Sequence, residues 1–555
     1  MKNIFVLGMF LLVGHIFAQQ PTKDWYHNDP TSSEYPGIGT NKAYDELLKN
    51  RESRPVIVAV IDSGVDYEHE DLAQNMWVNL NEIPDNGIDD DKNGYIDDVH
   101  GWNFIGGKSG ENVGKDTYEA TRLYKKYHYK YKDANPLNLS KKQKLEYQLY
   151  EKVKEEVEGK RESAVKNLEN LEETKTNVMA GVDALLALMD GQEITKANIM
   201  AVETDDSGAA YGKNILSRNM DDDESYENRD ELKANIEEQF QGGFDYYQGQ
   251  LDYAYNPDFE PRKIVGDNYA DVTQKGYGNS DFEGPDAFHG SHVAGIIGAI
   301  RNNDLGMDGV AANVQIMTLR AVPDGDERDK DVANAIIYAV DNGASVINMS
   351  FGKGFSWDKE AVDKAVHYAS KKDVLLVHAA GNSAQDNDST DNFPNDTYEK
   401  GIGFWFWKKK KSNTWIEVGA MSYKKDENSV ASFSNYGSKN VDIFAPGVQI
   451  YSTTPDNKYQ NAQGTSMASP VIAGTAALLR SYFPSLSAVQ VKDILMNSSE
   501  KLDLEVLLPG EKSKKVPFSS LSVSGGVVNV YNAVQLAMKT KGKKKVKKSK
   551  SKGGA

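Results

Sequence analysis

VIVAVID, residues 56–62, is a run of six apolar residues, five of them β-branched, that ends in an acid. It lacks the polar–apolar alternation of a half-exposed strand and reads as a parallel strand buried on both faces. Similar runs follow at VQIMTLRAV (314–322), ASVINMS (344–350) and DVLLVHAAG (373–381). Between them, DVANAIIYAVDNG (331–343) and KEAVDKAVHYASKK (359–372) carry the spacing of amphipathic helices. This alternation predicts an α/β fold, a parallel sheet with helices on both faces. Functional groups in such a fold gather beyond the carboxyl ends of the strands.

The rest of the composition narrows the class. The chain has 555 residues, 39% of them apolar, and a net charge of -18, which argues against a nucleic-acid partner. There is no cysteine, which excludes disulfides and a thiol nucleophile. The opening MKNIFVLGMFLLVGHIFAQQ has one lysine and then an apolar run short for a bilayer span, so we expect a leader over 1–18 and an exported protein. No later stretch reads as transmembrane. The last residues, 539–555, hold nine lysines and no acid and are expected to be a disordered tail. The sequence does not speak to oligomeric state.

From about 110 to 260 the strand runs stop and Lys, Glu, Tyr and Asp dominate. Leu145, Leu149, Val153 and Val157 recur at steps of four, and Val165, Leu168, Leu171, Val178, Val182 and Leu185 continue a helical spacing, with Ser140 placed to cap the start. We expect a long charged helix or helical hairpin over 111–261, inserted into the α/β domain. DDDESYENRDE (221–231) reads as a solvated segment.

Four stretches at strand ends or helix starts carry possible chemistry. Asp62 ends the first strand, and on its own is as well explained as a turn former. His289 and His292 open the Gly- and Ala-rich stretch HGSHVAGIIGAI, as a base at a helix start or as a metal pair. Asn382 follows a strand in AAGNSA (379–384). Ser466, in NAQGTSMASPVIAG (461–474), precedes an apolar helical run and suits either a nucleophile or a helix cap. Taken together they supply a nucleophile, a base, an acid to hold the base, and a donor to an oxyanion. Their chain order, Asp–His–Ser, is the one found in subtilisin.

The sequence resembles the subtilisin-like serine proteases, the subtilase or peptidase S8 family. AVIDSGVD (59–66), HGSHVAG (289–295) and GTSMASP (464–470) match its three active-site signatures, with Ser291 where Thr is commoner. AAGN (379–382), INMSFG (347–352) and FSNYG with VDIFAPG (433–447) match further segments. The resemblance covers about 54–105 and 262–500 and implies a serine endopeptidase acting on protein or peptide substrates. It makes Ser466 the nucleophile, His289 the general base and acid, Asp62 its orienting carboxylate and Asn382 the oxyanion donor, leaving His292 structural. Ser350, Phe351 and Gly352, with Ala379, Ala380 and Gly381, are then expected to bind substrate through backbone hydrogen bonds. Cleavage preference is not legible, because the pocket walls lie partly in 383–415, where the aromatics of FWFWKKKKSNTW (404–415) suit either a lip over the cleft or a surface hairpin.

DNGIDDDKNGYIDDVHGWNF (85–104) opens like an EF-hand loop: Asp89, Asp91 and Asn93 alternate, Gly94 makes the turn, and the Tyr95 carbonyl follows. His100 stands where the closing glutamate belongs, so Asp97, Asp98 or a more distant group must close it. Such a loop is either an acidic surface turn or a hard-cation site. Many subtilases bind calcium, and the resemblance favours a structural Ca2+ held by Asp89, Asp91, Asn93, Tyr95 and Asp97. We expect a catalytic domain over 54–110 and 262–500, an N-terminal segment over 19–53 too short for the family's folded pro-domain, and an extension over 501–538. The insertion either covers the cleft or decorates the surface. An adhesive protein on a dead protease fold has no chemical need for all four site residues, and ester hydrolysis sits poorly with the peptide-pairing segments.

Overall fold

A computed structural model describes residues 21–189, 191–402 and 408–543. The expected leader, most of the lysine-rich tail and the aromatic run 404–407 lie outside the described residues. The chain forms two compact units, residues 120–259 and residues 21–119 together with those from 260 onward.

The first unit is helical, built on α1 (Glu119–Tyr131), α2 (Lys141–Leu188), α3 (Ser207–Asn219) and α4 (Arg229–Gly249). Ser140 caps α2 as expected: its hydroxyl accepts from the Gln143 N–H, and the Gln143 side chain takes the Ser140 N–H. That reciprocal pair satisfies two donors a helix start would otherwise leave unpaired. Val178, Val182 and Leu185 meet Leu216, Leu232, Ile236 and Phe240 in a small core. Nearer the start of α2 the expected stripe is corrected, since Leu145 and Val165 are exposed and Tyr150, Val153 and Val157 are buried with Tyr131 of α1. The Tyr131 hydroxyl donates to Glu146 Oε2 at 2.6 Å and its ring lies edge-on to Tyr147, so rings with a polar tip do there what leucine was expected to do. In 221–231 most residues are solvated, but Tyr226 is buried, on a two-residue strand paired with Ile194.

The second unit holds a nine-stranded sheet. Its strands are β1 (Val56–Asp62), β2 (Gly101–Asn103), β3 (Val314–Arg320), β4 (Val346–Met349), β5 (Leu375–Ala379), β6 (Trp415–Met421), β7 (Ile443–Pro446), β8 (Glu500–Lys501) and β9 (Gly526–Val527). They lie in the order β8-β9-β7-β6-β5-β4-β1-β3-β2, parallel except for β8 against β9. Val58 and Val60 face one core and Ala59 and Ile61 the other, which is why the β1 run has no polar side. Each fully buried valine or isoleucine there contributes roughly 1.5–3 kcal/mol. Helices α5 (Phe288–Gly298), α8 (Thr465–Tyr482), α9 (Ala488–Ser498) and α10 (Val530–Lys539) cover the first face, and α6 (Asp329–Asp341) and α7 (Lys359–Lys371) the second.

Two expected limits move. Residues 111–119 belong to this unit rather than to the insertion: Val113 lies in its core, and Asp116 is paired with Arg328 at 2.6 Å. The N-terminal segment, residues 21–53, is part of the same core. Trp25, Tyr26 and Ile38 are fully buried, Trp25 Nε1 donates to Gln449 O, and the Val530 N–H donates to Ile38 O.

Candidate active site

β1 brings Asp62 to the carboxyl edge of the sheet, where its carbonyl accepts from the backbone N–H groups of Ala321 and Val322. Its Oδ1 accepts from Ser63 N–H at 2.8 Å and lies 2.6 Å from His289 Nδ1. A carboxylate can only accept, so Nδ1 carries the proton and Nε2 keeps its lone pair for another partner. His289 is the second residue of α5, and Gly290 lets that helix start close against β1. A β-carbon at 290 would stand 2.0 Å from Gly64 O and 3.2 Å from Asp62 Cβ. Burial lowers the basicity of His289, but the charge of Asp62, their hydrogen bond and Asp286 outweigh it, and its pKa stands above the usual 6.5. The side chain stays 38% accessible, so Nε2 can meet a substrate.

Ser466 is the second residue of α8 but does not cap it. Its Oγ donates to Ser350 O at 3.0 Å, and Ser350 Oγ donates back to Ser466 O at 2.9 Å. Asn382 is turned by Thr465, whose N–H and Oγ1 both donate to Asn382 Oδ1 at 2.8 and 2.9 Å. That leaves Asn382 Nδ2 to face the serine. Gly464, at φ 151°, opens the space: a β-carbon there would lie 3.5 Å from both Asn382 Nδ2 and Ser466 N. Asn382 Nδ2 and Ser466 N thus border the same small space at the bare face of Gly464. Thr465 thereby positions the Asn382 side chain.

His292, the other histidine of the motif, is structural. It is buried in α5, its Nε2 donates to Ile450 O and Gln460 O, and burial pushes its pKa down to about 4, so it stays neutral.

The expected substrate segments divide. Segment 350–352 follows β4, with Ser350 against Ser466 and Gly352 exposed. Segment 379–381 is a wall rather than a pairing edge, because its hydrogen-bonding groups are used inside the protein. Ala380 N–H donates to Val418 O, Gly381 N–H to Thr465 Oγ1, and Gly381 O accepts from Asn435 N–H. Ala380 O accepts from the side-chain amides of Asn387, Asn392 and Asn435.

The acidic loop also folds differently from the expected ligand set. Of Asp89, Asp91, Asn93, Tyr95 and Asp97, only Asp91 joins a carboxylate cluster, and its partners are Glu82 and Asp98, with oxygens within 4.8 Å of one another. Asp97 turns away to accept from the N–H groups of Asn86 and Gly87, and Asp89 accepts from those of Asn93 and Gly94. Asn93 Oδ1 accepts from Tyr95 N–H, and the Tyr95 ring is buried against Trp102 and Tyr338. Glu82 lies upstream of the quoted loop and is drawn in by accepting from the N–H groups of Asp91 and Asp97, a non-local link that spacing does not reveal. Burial raises the Asp98 carboxyl to about 6 against hydrogen bonds from Tyr338, Asn93 and Asn79.

Residues 53–522 match the subtilase family. Among curated proteins, the chain is 37% identical over 254 residues to a thermophilic serine proteinase of Bacillus sp. (strain AK1), a match covering 45% of this chain and 55% of that protein. It is 38% identical over 243 residues to subtilisin DY of Bacillus licheniformis, and 34% identical over 245 residues to thermitase of Thermoactinomyces vulgaris. Each of those two matches covers 43% of this chain and 78% of the relative.

Proposed function

The chain belongs to the subtilase family of serine-type endopeptidases, and we propose that it hydrolyses peptide bonds with Ser466, His289, Asp62 and Asn382 in the roles given above. The observation that carries this is the joint arrangement at the sheet edge: Asp62 2.6 Å from His289 Nδ1, and Asn382 Nδ2 and Ser466 N bordering one space at Gly464. In the reaction the Ser466 hydroxyl leaves Ser350 O and gives its proton to His289 Nε2 as Oγ attacks the substrate carbonyl carbon. The carbonyl oxygen takes up the negative charge between Asn382 Nδ2–H and Ser466 N–H. His289 passes its proton to the leaving amine as the C–N bond breaks, and Asp62 holds the imidazolium meanwhile. Water then repeats the sequence on the acyl-serine and regenerates the hydroxyl.

Calcium is proposed as a structural ion. Glu82, Asp91 and Asp98 offer hard oxygen donors, and an acid as buried as Asp98 is easier to keep ionised beside a cation. Bound there, calcium would supply cross-linking of the loop over residues 82–98. Export is proposed from the leader-like residues 1–18; among the described residues no helix is long and apolar enough to cross a membrane.

The test compares casein cleavage by purified protein with and without calcium, beside Ser466→Ala, and labels both with a fluorophosphonate. Cleavage and labelling that disappear in Ser466→Ala support the assignment. Labelling at another residue, or cleavage that survives the substitution, defeats it. Calcium should raise the thermal midpoint of the protein and do little for Asp98→Asn.

A further inference from the structure

The helical unit is polarised along its length. Residues 129–145, the turn from α1 into α2, hold five lysines and one acid, whereas residues 203–231 hold ten acids and three basic residues. The acidic stretch includes α3, whose Gly212 packs against Gly181 of α2. At 1.5 Å per residue, the start of α2 is about 60 Å from that contact. On a chain of net charge -18, the turn is a separate basic end.

That end differs from an ordinary solvated turn. α2 begins with Lys141, Lys142 and Lys144, and its first turn has no acid. Lysines there oppose the helix dipole, which favours acids at an N-terminus, so helix stability does not account for them. Lys130 is paired with Glu146, but Lys132, Lys141, Lys142 and Lys144 are exposed and, among the described residues, form no ion pair. Between these lysines stand Tyr129, Leu137 and Leu145, which are 82%, 84% and 63% exposed. The turn itself is shaped by polar groups: Asn135 Oδ1 accepts from the Leu137 N–H, and Ser140 caps α2. The two leucines are not needed for its fold.

We propose that this end of the α1–α2 hairpin docks on an anionic lipid bilayer. The lysines meet the headgroups, and Leu137, Leu145 and Tyr129 enter the boundary between headgroups and acyl chains. Charge selects the partner, since a basic end on an acidic chain is drawn to a negative surface and the acidic stretch is held several Debye lengths away. The leucines select lipid over a soluble polyanion. Aliphatic side chains gain from leaving water for acyl chains and gain nothing from a hydrated polymer. Tyrosine, an apolar ring with a polar tip, suits the same boundary. The contact is peripheral, because among the described residues no helix is long and apolar enough to cross a membrane. It does not depend on the protease reading.

A chain without cysteine allows a test specific to this end. In the full chain, Leu137→Cys carries an environment-sensitive dye, and Asp222→Cys, in the acidic stretch, carries the same dye. Shielding from acrylamide is read with phosphatidylglycerol vesicles, phosphatidylcholine vesicles and heparin. Reading single positions keeps any binding through residues 1–18 or 539–555 from being mistaken for docking of the turn. The dye at 137 is expected to be shielded by phosphatidylglycerol vesicles and not by phosphatidylcholine, and the dye at 222 by neither. Lys132→Gln, Lys141→Gln, Lys142→Gln and Lys144→Gln combined should raise the lipid concentration for half-shielding about a hundredfold or more, at about fivefold for each lysine. Leu145→Ser should raise it about tenfold. Circular dichroism checks that each variant keeps its helix content. A dye at 137 that stays open to acrylamide, or equal shielding at 137 and 222, overturns the proposal. So does equal shielding by the two lipids, or an unchanged response in the folded glutamine variant. Shielding by heparin with none by vesicles assigns this end to a soluble polyanion and overturns it as well.

Discussion

The two units use charge in opposite ways. In residues 120–259 the ion pairs lie at the surface: Lys233 with Asp183, Lys196 with Asp222 and Lys175 with Glu237 all keep substantial access to water. Such pairs are screened and contribute little. In the unit that carries the active site, full charges are buried around the start of α6. Lys330 reaches Asp267, Asn268 O and Gln274, and Lys353 reaches Glu119, Asp329 and the Glu327 carbonyl. Arg262 is bound by both Asp267 and Asp331, and Tyr277 adds a hydrogen bond to Asp331. Both ammonium groups have three acceptors for their three donors, the condition under which burying an ion is tolerable. These clusters fasten residues 115–119 and 260–268, where the chain leaves and re-enters this unit, to the helix behind the sheet. The comparison teaches that a similar charged composition stabilises weakly when solvated and defines geometry when buried and saturated.

The largest expected effect is on the pair that does chemistry. Asp62→Asn should lower kcat by about 10⁴-fold, because the imidazole loses both its tautomer and its counter-charge. The pH profile gives the sign. In its proposed role His289 is a neutral base, and its pKa is raised, so in the intact enzyme the acid limb of kcat/KM should fall at a midpoint above pH 6.5. With Asp62 neutralised, burial is opposed by the charge of Asp286 without that of Asp62, and the limb should move down. By linkage, the raised pKa means the pair stabilises the fold fully below pH 6.5, and that contribution is lost as pH rises through the folded value.

Next comes a buried pair with no part in catalysis. Asp331→Ala leaves buried Arg262 with Asp267 as its one carboxylate and takes the partner of the Tyr277 hydroxyl, and should cost roughly 3 kcal/mol in denaturant unfolding. A loss under about 1 kcal/mol would place this pair with the surface ones and break the comparison.

Within residues 120–259 the stability should come from the apolar stripe. Leu185→Ala, at a fully buried position, should cost that unit about 3 kcal/mol by hydrogen exchange, with cleavage of short peptides retained. Loss of peptide cleavage would show that the two units are energetically one.

The smallest effect belongs to the solvated pair. Lys233→Ala should change stability by no more than about 1 kcal/mol, and a larger loss by the same exchange measurement would count against the weak-pair reading.

Much of this site was legible because its evidence is local. A β-branched run ending in an acid shows both a buried strand and what stands at its carboxyl end, and Gly464 and Gly290 sit next to the residues they make room for. Glu82 was not legible, since it acts through partners it meets only in the folded loop. It receives the N–H groups of Asp91 and Asp97. The tyrosine contacts along α1 and α2 were missed because helical spacing tells which residues share a face, not which of them is long enough to meet the neighbouring helix.

By itself, then, the sequence determined the strand–helix alternation, the four residues at the sheet edge and the cap of the long helix, all of which depend on propensity and short spacing. Tertiary structure alone decided which acids cluster in the 82–98 loop, that residues 21–53 belong to the core, and where the inserted unit begins. Those outcomes depend on contacts between distant segments, where burial and the pairing of every donor select one arrangement among many that local spacing allows.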